Sequence, residues 1–281
     1  MNRLAFSKME GAGNDFVVIN AMHKAFELSA TTIRELADRH TGIGFDQLLV
    51  IEPPRTRDAD FYYRIFNADG GEVSQCGNGA RCFLRYVHDK ALSNKQSIRV
   101  ETACGIIEPH LEAGGGITVD MGKPVFEPVD IPMLVPRRAS SYSIRVNEAE
   151  VEVGALSMGN PHAVQVVSDI EAAPVISQGP MIENHALFPE RANAGYMQIM
   201  DRQNIRLRVW ERGVGETLAC GSGACAAVAI GIRWGLIDSP VRVHTRGGEL
   251  QIAWQGEEGN VLMTGPARVV FEGEIEIPGG K

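Results

Sequence analysis

The second half of this chain restates the first. Writing Arg64-Ile-Phe-Asn-Ala-Asp-Gly-Gly-Glu-Val-Ser-Gln-Cys-Gly-Asn-Gly-Ala80 over Arg208-Val-Trp-Glu-Arg-Gly-Val-Gly-Glu-Thr-Leu-Ala-Cys-Gly-Ser-Gly-Ala224 gives seven identities in 17 positions without a gap, at an offset of 144. Nearly the same offset sets Asn14 against Asn160, Gln47 against Asn193, Thr102 against Thr245 and Gly122 against Gly265. Chance does not readily hold one offset over five places, so the chain reads as two halves of similar fold. A period near 144 is too long for a solenoid, whose repeats run to about 50 residues. With 281 residues in all, each half is long enough to bury its own core. A linker is expected near residues 123–141, which carry Pro124, Pro128, Pro132 and Pro136.

Short alternating or β-branched runs predict strands at 17–20, 48–52, 61–67, 98–102, 117–121, 143–146, 163–167, 204–210, 241–245, 250–254 and 268–272. Helices are fewer. One is expected after Thr32, where Thr32 and Glu35 have capping-box spacing and Ile33, Leu36, Ala37 and His40 share a face. A second follows Cys76, with Ala80, Phe83, Leu84, Val87 and Ala91 at helical spacing. A third follows Cys220, where residues 224–230 are apolar all round, as in a helix enclosed by other elements. Many strands and few helices point to α+β rather than regular βαβ winding.

The net charge of −8 comes with scattered positive residues, so no broad basic face for nucleic acid is evident and a small-molecule partner is expected. Residues 1–11 lack the apolar run of a signal peptide, and the longest apolar stretch, residues 223–232, is about half the roughly 20 residues that cross a bilayer. A cytoplasmic protein without membrane insertion is expected. Five cysteines, an odd number in a long chain, suit a reducing compartment better than a disulfide framework.

Each half places a cysteine before Gly-x-Gly and then a helix: Cys76-Gly77-Asn78-Gly79 and Cys220-Gly221-Ser222-Gly223. Unpaired N–H groups and the helix dipole at such a position can lower a thiol pKa from about 8.5 to roughly 3.5–7.5, so accessible thiolates are expected. The same helix starts could hold a substrate carboxylate. Two such thiols suit inversion at a carbon next to a carboxylate: one removes a proton from one face while the other supplies a proton to the opposite face. A lone cysteine before a helix is more often a small buried apolar residue, but duplication in matching contexts favours chemistry. Cys82 and Cys225 are expected in the core, and Cys104 carries little catalytic weight. The cysteine spacings do not fit zinc, so no metal is expected. A Cys76–Cys220 disulfide is conceivable if the two face each other, although a cytosolic chain would keep them reduced. Gly221-Ser-Gly-Ala-Cys-Ala226 formally fits a dinucleotide fingerprint, but no hydrophobic strand precedes it.

Asn14, Asn67, Asn160 and Asn193 lie in Gly- or Pro-rich connections, where asparagine serves either a turn or a ligand. Glu211 and Arg212 stand where the first half has Asn67 and Ala68. This pair is either a surface ion pair or a charged grip on a second carboxylate. His162 is a candidate to tune a nearby thiol.

At these residues the sequence resembles the diaminopimelate epimerase family. The resemblance rests on Lys8-Met-Glu-Gly-Ala-Gly-Asn-Asp-Phe16, Phe66-Asn-Ala-Asp-Gly70, Ser74-Gln-Cys-Gly-Asn-Gly-Ala-Arg-Cys82, Met158-Gly-Asn-Pro-His162, Phe188-Pro-Glu-Arg-Ala-Asn-Ala-Gly195 and Glu211-Arg-Gly-Val-Gly-Glu-Thr-Leu-Ala-Cys-Gly-Ser-Gly-Ala224, which span nearly the whole chain. It implies interconversion of LL- and meso-2,6-diaminopimelate in lysine biosynthesis, without pyridoxal phosphate or another cofactor. The implied fold is α+β: two pseudo-symmetric β-rich domains, each wrapped around a central helix, with the active site in the interdomain cleft. The expected boundaries are 1–120 plus 266–281 for one domain, the last strand returning to the first domain, and 121–265 for the other. Carried across by motif, Cys76 and Cys220 become the acid/base pair, and Gly77, Asn78, Gly221 and Ser222 surround the reacting carboxylate. Asn14, Gln47, Asn67, Asn160, Asn193, Glu211 and Arg212 become substrate contacts, with His162 and Glu211 as tuning groups. Ala163 departs from the cysteine often found there in the family, a change expected to affect packing. A homodimer is left open. The alternatives are a proline or hydroxyproline racemase-like enzyme and a non-catalytic small-ligand-binding protein.

Overall fold

The hairpin that opens the chain shows how tightly its local geometry is specified. β1 (Asn2–Gly11) and β2 (Asn14–Asn20) pair antiparallel, with Gly11 opposite Asn14. The two turn residues, Ala12 and Gly13, both take positive φ, 53° and 87°. That left-handed pair matches the twist of a tight hairpin. The computed structural model describes residues 2–73 and 77–277, and the chain divides into two compact units, Met1–Val119 with Gly265–Lys281, and Asp120–Thr264.

In the first unit β3 (Gln47–Glu52) runs parallel to β2, and β4 (Phe61–Asn67) runs antiparallel to β3. β5 (Glu72–Val73) pairs with β4 to one side of the main strand order. β6 (Val100–Thr102) is parallel to β4 and antiparallel to β7 (Gly105–Ile107), while β8 (His110–Leu111) and β9 (Ile117–Asp120) form a hairpin. The chain's last strand, β19 (Arg268–Ile277), lies antiparallel on β1. Successive strand residues face opposite sides of the sheet. Phe16, Val18, Leu49, Ile51, Tyr63 and Ile65 pack on one side with Cys82, Phe83, Leu84 and Val87 of α2 (Gly77–Asp89). Val17, Ile19, Leu48, Val50 and Phe66 pack on the other with Ile33, Leu36 and Ala37 of α1 (Ala30–Ala37). Both faces are covered, which is why these strands read as continuous apolar runs.

The second unit contains β10 (Tyr142–Val146), β11 (Ala149–Ser157), β12 (Pro161–Val166), α3 (Val175–Glu183), β13 (Asn193–Asp201), β14 (Asn204–Glu211), β15 (Gly215–Glu216), α4 (Gly221–Arg233), β16 (Val241–Thr245), β17 (Gly248–Ala253) and β18 (Leu262–Gly265). β11 is antiparallel to β12, β12 parallel to β13, β13 antiparallel to β14, β14 parallel to β16, and β16 antiparallel to β17; β15 pairs with β14. The same succession of pairings runs from β1 to β7. α2 and α4 are both 13 residues long. The sequence repeat is therefore a duplication of topology.

Four local readings are corrected. The first helix is capped by Ser29, whose hydroxyl accepts from the Thr32 N–H, so Thr32 lies inside the helix and His40 beyond its end. Ala91 lies past the end of α2 with φ 51°. Residues 123–141 are no linker: Phe126, Ile131 and Met133 are buried, the last two in the second unit's core. Proline marks irregular backbone, whether it is packed or free. Finally, α3 lies in a stretch where no helix is expected, and its sequence carries Gly179 and Pro180 inside the helix. Gly179 is nevertheless required, since a Cβ there would stand 2.6 Å from the Trp210 ring.

Candidate functional site

The predicted residues of the second unit gather at the ends of its strands. Asn193 opens β13, Glu211 closes β14, and His162, the second residue of β12, is the parallel register partner of Asn193. Asn193 is buried and stitches this end together: its Nδ2 donates to the Pro161 carbonyl at 3.0 Å, and its Oδ1 accepts the Arg212 backbone N–H at 2.9 Å. The Arg212 guanidinium donates to the Glu190 carbonyl at 3.0 Å. His162 is 1% exposed, and its Nε2 lies 2.9 Å from Asn160 Oδ1. Burial, aided by the positive charge of Arg212, lowers its pKa to about 3, so His162 is neutral at physiological pH.

Cys220 is the N-cap of α4. Its extended backbone (φ −117°, ψ 112°) lets Sγ turn back and accept the Gly223 N–H at 3.4 Å, with Ser222 Oγ at 3.6 Å. A Cβ on Gly223 would stand 3.2 Å from that sulfur, so the glycine leaves it room. Those donors favour the thiolate, but they are outweighed. Burial pushes the Cys220 thiol well above its ordinary value, and the Glu211 carboxylate pushes it further. This corrects the expectation of a lowered thiol pKa: Cys220 is 5% exposed, and the helix start alone does not compensate for that desolvation. Glu211 also accepts from the Thr217 hydroxyl, which fixes the carboxylate. Replacing Glu211 with Gln removes a negative charge, so Cys220 should titrate at lower pH than in the parent chain. Site-resolved alkylation across pH, read by mass spectrometry, checks this; an unmoved alkaline limb would remove Glu211 as a tuning group.

The first unit gathers its residues in the same way. Asn14 opens β2, Gln47 opens β3 and Asn67 closes β4, with Gln47 and Asn67 direct register partners. Gln47 Nε2 donates to Asn67 Oδ1 at 2.9 Å, and Asn78 Nδ2 donates to Asn14 Oδ1 at 2.6 Å. Gly77 and Asn78 form the first turn of α2. Cys76, the first member of the expected thiol pair, lies outside the described residues.

A sequence model of diaminopimelate epimerases matches residues 6–127 and 154–270. The chain belongs to the diaminopimelate epimerase family. Curated relatives include the diaminopimelate epimerases of Nitrosomonas europaea, 62% identical over 98% of this chain and 100% of that protein, and of Nitrosospira multiformis, 58% identical over 98% and 99%. Among solved structures the fold is shared with a PhzF-family phenazine biosynthesis protein of Bacillus anthracis (TM-score 0.70, 17% identity, covering 99% of this chain and 100% of that one). It is also shared with a hydroxyproline epimerase of Agrobacterium vitis (TM-score 0.69, 13% identity, covering 97% and 92%).

Within this diaminopimelate epimerase family fold, several networked polar groups carry no local signal in the sequence. Glu183, at the end of α3, is buried and accepts from Trp210 Nε1 at 2.7 Å, Gly213 N at 2.8 Å and Arg191 Nη1 at 3.2 Å. It thereby pins the turn that follows Glu211 and Arg212. Asp15, Asp46, Arg39 and Lys8 interlock beside Asn14. Burial would raise the Asp15 pKa, but the Arg39 guanidinium and the Lys8 ammonium outweigh it and hold the carboxyl well below the usual range. Cys82 and Cys225 are fully buried and Cys104 is exposed. Ala163 is buried in the second core, consistent with a packing role. Among the described residues no His, Cys, Asp and Glu side chains cluster as metal ligands, and no helix is long and apolar enough to cross a membrane.

Proposed function

We propose that this chain is a cofactor-independent isomerase that interconverts LL- and meso-2,6-diaminopimelate by two-base thiol chemistry, as a step of lysine biosynthesis in the cytoplasm. The observation that carries the reading is the family match across both halves of the chain, including both Cys-Gly-x-Gly blocks. The place of Cys220 as the N-cap of α4 supports the same reading. In the resting protein Cys220 is a thiol and so a proton donor. In this reading Cys76, its counterpart in the sequence repeat, is the base of that direction.

In one direction the Cys76 thiolate takes the α-proton. The C–H bond breaks, an S–H bond forms, and the electron pair is delocalised into the adjacent carboxylate. Cys220 then gives its proton to the opposite face of the α-carbon and becomes the thiolate. Atoms and charge balance without an oxidant or an electron sink, and the reverse reaction exchanges the two roles. The backbone N–H groups at the starts of α2 and α4 are suited to the carboxylate of the reacting centre, where they would stabilise developing enolate charge. Asn67, Asn160, Asn193 and Arg212 would hold the remote amino-acid end, and Asn14, Gln47 and Asn78 would complete the site. His162, being neutral, would act through a hydrogen bond.

The test is incubation of LL-diaminopimelate with the reduced protein in D2O without added cofactor, followed by stereochemical analysis. α-Deuteration with meso product is expected. Exchange confined to proline or hydroxyproline would replace this reading by the racemase, and no exchange with any of the three would leave a binding protein.

A further inference from the structure

The first half-site contains a chain of side chains whose order is chemically forced. Arg39 Nη2 donates to Asp46 Oδ1 at 2.8 Å, Asn14 Nδ2 donates to Asp46 Oδ2 at 3.1 Å, and Asn78 Nδ2 donates to Asn14 Oδ1 at 2.6 Å. A carboxylate only accepts. Asn14 must therefore turn its NH2 towards Asp46 and its carbonyl towards Asn78. Asn78 answers with its own NH2, which commits its Oδ1 to the free end of the chain. That oxygen is buried and, among the described residues, without a hydrogen-bond partner, in a residue 4% exposed. An unpaired buried acceptor is a cost that a bound N–H donor removes.

Asp46 is itself held firmly. Its Oδ2 also accepts the Asp15 backbone N–H at 3.2 Å, and its own N–H donates to Asp15 Oδ1 at 2.9 Å. Asp15 in turn takes both Arg39 nitrogens at 2.8 Å and Lys8 Nζ at 2.6 Å, and Lys8 also reaches the Gly44 carbonyl. The contrast is the Gln47–Asn67 pair. Among the described residues it leaves Gln47 Oε1 buried and unpartnered, and no carboxylate is hydrogen-bonded to either amide to fix which way round they sit.

We infer that Asp46 is a positioning residue that orders the Asn14 and Asn78 amides so that Asn78 presents an acceptor, the polarity that suits an ammonium group of an amino-acid substrate rather than its carboxylate. The inference rests on the reading of Asn14 and Asn78 as substrate contacts. Asp46 acts through them and touches no reacting atom.

The test compares three variants. Asp46→Ala removes the acceptor and lets both amides rotate; KM for diaminopimelate should rise about tenfold or more, as expected when a contact loses its orientation, with the shape of the pH profile retained. Asp46→Asn keeps one oxygen, and the Asn14 and Asp15 donors converge on that side. The amide should turn its oxygen to them and give up the exposed Arg39 contact, restoring KM to within about threefold of the parent. Arg39→Gln removes the ion pair but not the Asp46–Asn14 bond, and should lower thermal stability without the rise in KM. Equal KM values for Asp46→Ala and Arg39→Gln would reduce Asp46 to a purely structural role and overturn the inference.

A second readout needs no catalysis. In the unliganded protein the side-chain amide NMR signals of Asn14 and Asn78 should both move in Asp46→Ala and stay close to the parent in Arg39→Gln. A stationary Asn78 signal overturns the relay. Moving signals in a protein that fails to epimerise diaminopimelate would uphold the relay and count against the proposed reaction alone. If the alanine variant does not fold, Asp46→Ser, too short to reach Asn14, takes its place with the same expectations.

Discussion

Cys220→Ala should lower kcat/KM for diaminopimelate epimerisation by about 10³-fold or more, the range expected when an essential proton-transfer group is lost, while leaving the chain folded. The thiol is 5% exposed, so water is poorly placed to act in its stead. Burial and the Glu211 carboxylate keep it protonated, and alanine supplies no proton at the head of α4. The structural cost is modest: the sulfur's hydrogen bond from Gly223 N is long, 3.4 Å, and loss of a helix N-cap typically costs about 1 kcal/mol. Cys76→Ala should show the same catalytic loss, because the sequence repeat gives it the equivalent Cys-Gly-x-Gly setting. Steady-state assays paired with thermal melts separate the effects. Near-parental activity in a natively melting Cys220→Ala protein would exclude the thiol as the acid.

The repeat makes most of the architecture legible in the sequence. An offset of 144 carries Gly77 to Gly221 and Asp89 to Arg233, the first and last residues of α2 and α4. It also carries Arg64 and Glu72 to Arg208 and Glu216, which form corresponding ion pairs. What was not legible is tertiary. Asp46 reaches Asn14 across 32 residues, and Glu183 reaches Gly213 across 30; no local period announces such bonds. The error at Cys220 has the same origin. A helix start is a local feature that argues for a low thiol pKa, but the desolvation and the neighbouring Glu211 that reverse it come from packing. β13 escaped because Ala194, Gly195 and Met197 do not spell a strand by side-chain type, although all three are buried in it.

The duplicated ion pairs offer the second large effect, because the same chemistry sits in two environments. Arg64 grips Glu72 with bonds of 2.7 and 2.8 Å, and Arg208 grips Glu216 with bonds of 2.6 and 3.0 Å. The side chains of the first pair are 24% and 42% exposed; those of the second are both 8% exposed. Solvent screens the first pair, and Glu72 can rehydrate when Arg64 is removed, so Arg64→Ala should cost about 1 kcal/mol or less. In the second pair Arg208 also donates to the Ile170 carbonyl at 3.0 Å, and its removal strands a buried acceptor as well as a carboxylate. Breaking a buried pair in this way typically costs 3–5 kcal/mol. Arg246, 2.9 Å from Glu216, remains as a partial counter-charge and places Arg208→Ala near the lower end, about 3 kcal/mol. Urea unfolding of the two variants beside the parent measures the difference. Equal losses would mean that burial does not govern the strength of this repeated pair.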